Sequence, residues 1–311
     1  MHTGTVIRST GIWIDVSVKG KVIPSRIRGR MRLDHENSTQ PIAVGDRVGL
    51  VIQNDKTGLI TQVHQRYNCL QRRAAGRKVR KRQILVANVD FIWIVQATQQ
   101  PALNWRLVDR LLVACETQDI PGGVVINKMD LAAPDLSVSI RELDEYYRQL
   151  GYPVVLTSVA EKLNLKTLSH LFSDKVNVLL GPSGVGKSSL LNAIDPEINI
   201  PTKSISNKTS KGRHTTAHTE LHSLITGGSV MDTPGIREFG LLDIKPWELA
   251  HHFPEFRPHL IRCRFPACTH DHEPDCAVKR AHMKERISDE RYESYLNILY
   301  TLRLGDADLG R

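Results

Sequence analysis

The sequence predicts a multi-domain chain in three parts: a small N-terminal β-barrel, a central α/β domain on a mostly parallel sheet, and a C-terminal helical module. Three observations carry this reading. Short strand-like runs alternate with turn signals up to residue 65, apolar strands alternate with helical patterns from residue 84, and a Cys- and His-rich segment lies among helical patterns after residue 246. The expected divisions are 1–65, a basic linker over 66–83, 84–245 and 246–311. A length of 311 residues accommodates two or three separate cores.

In the first part the strand-like runs are Gly4 to Arg8, Ile12 to Val16, Lys21 to Ile27, Arg47 to Ile52 and Gly58 to Val63, punctuated by Thr10-Gly11, Lys19-Gly20 and Val44-Gly45-Asp46. Five short strands point to an oligonucleotide-binding (OB-fold) barrel, although an SH3-like barrel fits the composition nearly as well. Charge is concentrated here. Met1 to Arg82 holds 17 Lys or Arg and 5 Asp or Glu, a net of +12 against +9 for the whole chain, so the rest is slightly acidic. Arg26, Arg28, Arg30 and Arg32 recur at a spacing of two, which aligns them on one face of an extended segment. That stripe can follow a phosphate backbone or protect a barrel edge. Trp13 fits either a base-stacking role or a partly buried barrel position. A second basic run over 66–83, including Arg72 and Arg73, reads as a linker or loop extending the same RNA-facing surface.

From residue 84 the pattern is that of a sheet covered on both faces: apolar runs at Ile84 to Ala87 and Phe91 to Ala97, a helix over Trp105 to Thr117, a strand from Gly123 to Ile126, a helix from Leu136 to Leu150, and a strand over Pro153 to Leu156. The strand Val176 to Leu180 runs into Gly181-Pro182-Ser183-Gly184-Val185-Gly186-Lys187-Ser188, which fills every fixed position of G-x-x-x-x-G-K-S/T. Backbone N–H groups up to Ser189 can surround a di- or triphosphate, Lys187 can reach its β and γ phosphates, and Ser188 can bind Mg2+. A helix from Lys187 to Ile194 follows, then strands at Thr219 to Leu224 and Ser229 to Met231.

Asn127-Lys128-Met129-Asp130 follows a strand end. The Asp130 carboxylate can accept from both the N1–H and the 2-amino group of guanine, a pair adenine lacks, while Asn127 and Lys128 brace the loop and cover the ring. Thr157-Ser158-Val159, past another strand, offers backbone N–H to the guanine O6. Asp232-Thr233-Pro234-Gly235 places a carboxylate for Mg2+ and an N–H that can sense the γ phosphate. Thr215 or Thr216 can complete the Mg2+ shell from a polar loop over 201–218. The N-K-x-D motif precedes the phosphate loop, the reverse of ordinary small GTPases. The central domain therefore reads as a circularly permuted GTPase, and its D-x-x-G segment leads directly into the C-terminal module. Ile236 stands where Ras-like enzymes carry a water-orienting glutamine and cannot hydrogen-bond to water. Slow intrinsic hydrolysis is expected, with His214 or a partner positioning the water.

In the last part Trp247, Leu249, Ala250 and Phe253 mark a short helix, and Lys279 to Leu302 one or two more. Cys263, Cys268, His270 and Cys276 offer three thiolates and an imidazole for one structural Zn2+, with His272 the alternative to His270. The five cysteines make no disulfide framework. The chain has no run of 18 apolar residues, and a cytoplasmic, non-membrane location is expected.

The permuted motif order, Gly212-Arg213-His214-Thr215-Thr216, Ile236 after D-x-x-G and the cysteine-histidine pattern together resemble the bacterial small-ribosomal-subunit-dependent GTPase A (RsgA) family along the whole chain. The resemblance implies a monomer that hydrolyses Mg·GTP to GDP and phosphate on the small (30S) subunit and its 16S rRNA, late in maturation, as a checkpoint for release of assembly factors. It places GTP on Asn127, Lys128, Asp130 and Gly181 to Ser189, zinc on Cys263, Cys268, His270 and Cys276, and the water-attack helper on His214. The alternative is a catalytically weak module that binds RNA or protein and is switched by guanine nucleotide.

Overall fold

The structure, a computed structural model, describes residues 1–28, 42–73, 82–201, 220–232, 241 and 244–304. Strands β1 (His2–Thr10), β2 (Trp13–Val18), β3 (Lys21–Ile27), β4 (Arg47–Ile52) and β5 (Gly58–Val63) close into a barrel of order β1-β2-β3-β5-β4, sealed by β1 against β4. The parallel β3–β5 pairing between otherwise antiparallel strands matches the expected OB-like barrel. Alternation in β2 sends Ile14, Val16 and Val18 inward to meet Val6, Val48, Leu50 and Ile60.

The basic run read as a linker is partly strand. β6 (Cys69–Arg73) pairs antiparallel with β7 (Arg82–Ala87), so Arg72 and Arg73 lie in a strand, and the apolar run at Ile84 belongs to this two-stranded sheet. Charge dominates the sequence of this segment and hides the alternation. The Ala87 N–H donates to the Val44 carbonyl and ties the pair to the barrel, while buried Leu70 and Val86 join the core of the central domain. Arg66 grips fully buried Asp46 through Nε at 2.6 Å and Nη2 at 2.7 Å.

The central sheet has six strands in the order β10-β9-β8-β11-β13-β12: β8 (Phe91–Ala97), β9 (Gly122–Asn127), β10 (Val154–Leu156), β11 (Val176–Leu180), β12 (Leu221–Ser223) and β13 (Ser229–Asp232). All neighbours are parallel except β12 with β13. Successive residues serve opposite faces. Ile92 and Ile94 meet α1 (Trp105–Glu116) and α2 (Pro134–Gln149), while Trp93 and Val95 meet α3 (Leu165–Phe172) and α4 (Lys187–Ile194). Helix α3 was absent from the sequence reading, although Leu168 and Phe172 at helical spacing mark its buried face. Asn104 caps α1 by accepting from the Leu107 N–H.

The C-terminal module holds α5 (Arg257–Leu260), α6 (Ala277–His282) and α7 (Asp289–Arg303), preceded by a 3-10 turn over Leu249–His252. Its Leu249, Phe253, Phe256, Tyr295 and Leu299 share one apolar core with α1 and β8. At this junction Arg291 is 1 % exposed, donating to Asp109 of α1 at 2.6 Å and to Glu255 at 2.7 and 3.2 Å. Its guanidinium lies 4.6 Å from the Phe253 ring centroid. Flanking carboxylates outweigh burial and hold this arginine firmly charged. Replacing Arg291 by Ala strands two buried carboxylates, and a loss of about 3–5 kcal/mol is expected, measurable as a lowered urea midpoint.

Candidate nucleotide site and metal centre

The phosphate loop and the N-K-x-D loop, more than fifty residues apart in sequence, meet at one end of the sheet. Strands β9 and β11 flank β8 and run parallel to it, so their carboxyl ends open on the same edge, where ligands bind open α/β sheets. Asn127 is 2 % exposed, and its Nδ2 donates to the Val185 carbonyl at 3.0 Å. Gly186 makes that approach possible: at φ +95° a Cβ there would lie 2.5 Å from Asn127 Nδ2. Gly181 is equally constrained, since a Cβ would lie 2.2 Å from the Val95 carbonyl.

Lys187 folds back over its loop, donating to the Gly181 carbonyl at 2.9 Å. Burial lowers its pKa and Asp232 opposes the shift. A polyphosphate there would satisfy the ammonium far better than carbonyls do. Ser188 Oγ donates to Asp232 Oδ2 at 2.7 Å, which brings together the two residues that the sequence reading assigns to Mg2+ and that the structure describes. A hydroxyl beside a carboxylate suits Mg2+, an ion that takes few protein oxygens alongside substrate phosphates.

On the base side, Ser158 Oγ donates to Asp130 Oδ1 at 2.5 Å and Thr157 Oγ1 donates to Asn127 Oδ1 at 3.2 Å. Ser158 therefore braces the Asp130 carboxylate with its side chain, while Val159 packs half-buried against the second core. Lys128 sits in the left-handed region at φ +60°. Its Nζ donates to the Gln100 carbonyl at 2.6 Å, and its own carbonyl accepts from Thr98 Oγ1 at 2.6 Å. The sequence reading missed this support from residues 98–100. Its signal was weak, a polar segment immediately after an apolar strand. Pro182, Ser183 and Gly184 lie in the turn between β11 and α4, and Ser189 in the first turn of α4. His214, Thr215, Thr216 and Gly235 lie outside the described residues.

On the barrel, Arg26 and Arg28 are both exposed, and the Arg26 guanidinium stacks 3.9 Å from the Trp13 ring centroid. Trp13 thus carries a cation on its face. Arg30 and Arg32, and the side chains of Arg72 and Arg73, lie outside the described residues.

Cys263, Cys268, His270 and Cys276 bring one ligand atom each within 4.8 Å of one another. Cys263 Sγ stands 3.9 Å from Cys276 Sγ and 3.6 Å from His270 Nδ1, which is 3.3 Å from Cys276 Sγ. A tetrahedron with Zn–S of about 2.3 Å and Zn–N of about 2.0 Å has edges of about 3.5–3.8 Å, so the cluster fits Zn2+. Burial lowers His270 to about 4, leaving the neutral imidazole that a metal requires, and raises Cys268 to about 12, a shift that a divalent cation reverses by binding thiolate. Tyr292 and Tyr295 donate to the His270 and Thr269 carbonyls at 2.6 and 2.7 Å, tying the ligand loop to α7. His272 is 74 % exposed in its side chain and takes no part. Four protein ligands leave no open position, so the metal is structural.

A nucleotide pocket of this construction, with its base loop ahead of its phosphate loop, defines a circularly permuted P-loop protein. A model of the RsgA N-terminal domain matches residues 3–60 and one of the RsgA GTPase matches 63–242. Relatives include small ribosomal subunit biogenesis GTPases RsgA of Phocaeicola vulgatus, 38 % identical over 95 % of this chain and 96 % of that protein, and of Gemmatimonas aurantiaca, 40 % identical over 95 % and 96 %. Among solved structures, YjeQ from Thermotoga maritima is 35 % identical at a TM-score of 0.79, covering 98 % of this chain and 99 % of that one. YloQ, a circularly permuted GTPase, is 33 % identical at 0.76, covering 99 % and 97 %. The chain belongs to the RsgA family. Among the described residues no helix is long and apolar enough to cross a membrane.

The purified protein is expected to carry one zinc per chain by elemental analysis. Cys268→Ala should lose it and melt the C-terminal module at a lower temperature, and chelation should do the same to wild type.

Proposed function

We propose that this protein hydrolyses GTP to GDP and phosphate when bound to the small ribosomal subunit, late in that subunit's maturation in the cytoplasm, and that hydrolysis times its departure and that of other assembly factors. The observation that carries the reading is the convergence of Lys187, Ser188, Asp232, Asn127 and Asp130 at one edge of the sheet. Family membership supports the partner, since the relatives are small ribosomal subunit biogenesis GTPases. The basic front of the chain supports an RNA surface, with Arg26, Arg28, Arg30, Arg32, Arg72 and Arg73 on rRNA phosphates.

In this reading Asp130 accepts from the guanine N1–H and 2-amino group, with Asn127, Lys128 and Ser158 holding its loop in place. Backbone N–H groups of Gly181 to Ser189 and the Lys187 ammonium hold the phosphates. Ser188 and Asp232, with Thr215 or Thr216, would hold Mg2+, which would supply neutralisation of phosphate charge. Water attacks the γ phosphorus as the bond to the bridging oxygen breaks; the water's proton leaves with the products, and Lys187 offsets charge growing on the leaving GDP. His214 orients the water, a task for which Ile236 has no polar atom.

GTP turnover measured alone, with small subunits and with large subunits should rise at least about a hundredfold with small subunits only, the lower end of what one positioned catalytic group contributes. His214→Ala should lose about a hundredfold of that stimulated rate while GDP affinity stays within about twofold. Stimulation that survives the substitution moves the water-orienting role elsewhere. No response to small subunits favours the guanine-nucleotide-switched binding module.

A further inference from the structure

A cavity of about 490 Å³ beside the metal cluster has no part in the nucleotide site. Its wall includes Trp247, Ile261, Arg264 and Phe265, and the metal-cluster residues Cys263, Cys268 and His270 border it, so the cluster braces it. Its volume is in the range of small-molecule sites. Three large apolar side chains on it face solvent: Ile261 is 91 % exposed, Trp247 49 % and Phe265 41 %. Such exposure in one place marks an interaction surface.

Charge identifies the occupant. The lining holds two arginines, Arg257 and Arg264, and no carboxylate. Arg264 sits 5.6 Å from the Phe265 ring centroid, and Lys245 sits 5.5 Å from that of Trp247. Exposed Arg262 adjoins the wall. Arg257 stays with part-buried Glu116, but Arg264 pairs with Asp275 at 3.1 Å with both side chains 64 % exposed, and an exposed pair yields readily to a phosphate. Aromatic faces within a cationic rim suit an unstacked base with its phosphates, whereas an apolar peptide would gain nothing from the arginines and an acidic one nothing from the ring faces.

We propose that this cavity captures an unpaired base of single-stranded RNA, stacked on Trp247 or Phe265 with Arg264 on the adjacent phosphate. The proposal deepens the small-subunit reading, because it gives the C-terminal module an RNA contact of its own, separate from the barrel.

The test uses the full zinc-loaded chain and a mixed-sequence single-stranded 12-nucleotide RNA, so that it stands whether or not ribosomal subunits stimulate turnover. Ultraviolet cross-linking followed by peptide mapping should place a nucleotide adduct on the peptides holding Trp247 or Phe265. Trp247→Ala and Phe265→Ala should each remove that adduct and weaken binding about tenfold, with Trp247→Phe restoring most of it and GDP affinity unchanged. Adducts confined to the barrel, binding unaffected by both alanine variants, or displacement from the module by polyglutamate as readily as by RNA would overturn the proposal.

Discussion

The nucleotide site rests on one buried hydrogen bond, from Asn127 Nδ2 to the Val185 carbonyl. It fixes the distance between the N-K-x-D loop and the phosphate loop, two segments that leave different strands of the sheet. Neither group can turn to water, since Asn127 and Val185 are both buried. The bond is therefore obligatory, and Gly186 is glycine because any Cβ there would occupy its path. Lys128, locked onto the 98–100 segment, and Ser158, locked onto Asp130, extend the same bracing outward.

This arrangement explains why permuted order is harmless to the site. Spatial neighbours in the sheet, with β11 between β8 and β13, bring the phosphate loop, Asp232 and the base loop to one edge whatever the chain order. Permutation changes what the site is attached to. The barrel and the β6–β7 pair precede β8, and the chain after β13 enters a module that shares its core with α1 and is pinned by Arg291. Helix α1 begins just after the segment that holds Lys128, so the base side of the pocket and the metal-bearing module lean on one helix. Arg8 and Glu220 meet across an isolated bridge between β1 and the start of β12, giving the barrel a contact at the opposite side of the sheet.

Much of this was legible from residues alone because local chemistry and fold agreed. The barrel strands Lys21–Ile27, Arg47–Ile52 and Gly58–Val63 and the helix Lys187–Ile194 fall where periodicity put them, and the four metal ligands cluster as their residue types required. What escaped was long-range. Strand β6 was masked by its charge, β7 was read as an apolar run of the central sheet because its partner was hidden, and α3 was missed for its short length between a loop and a strand. The Arg291 cluster joins residues 109, 255 and 291, and nothing in the sequence near an arginine on a polar helix announces a buried carboxylate pair. Carbonyl groups that hold Lys128 and Lys187 carry no side-chain signature at all, so only the folded backbone reveals them.

The most direct test of the account is the GDP affinity of Asn127→Ala, set beside its melting temperature. Loss of the bond leaves the Val185 carbonyl buried and unpaired, a cost of about 1–3 kcal/mol, and lets the two loops drift apart. The account predicts GDP binding weakened at least about tenfold, with the protein still folded and its zinc retained. Affinity within about twofold of wild type would contradict it, and would mean that the two loops are held in register by the sheet alone.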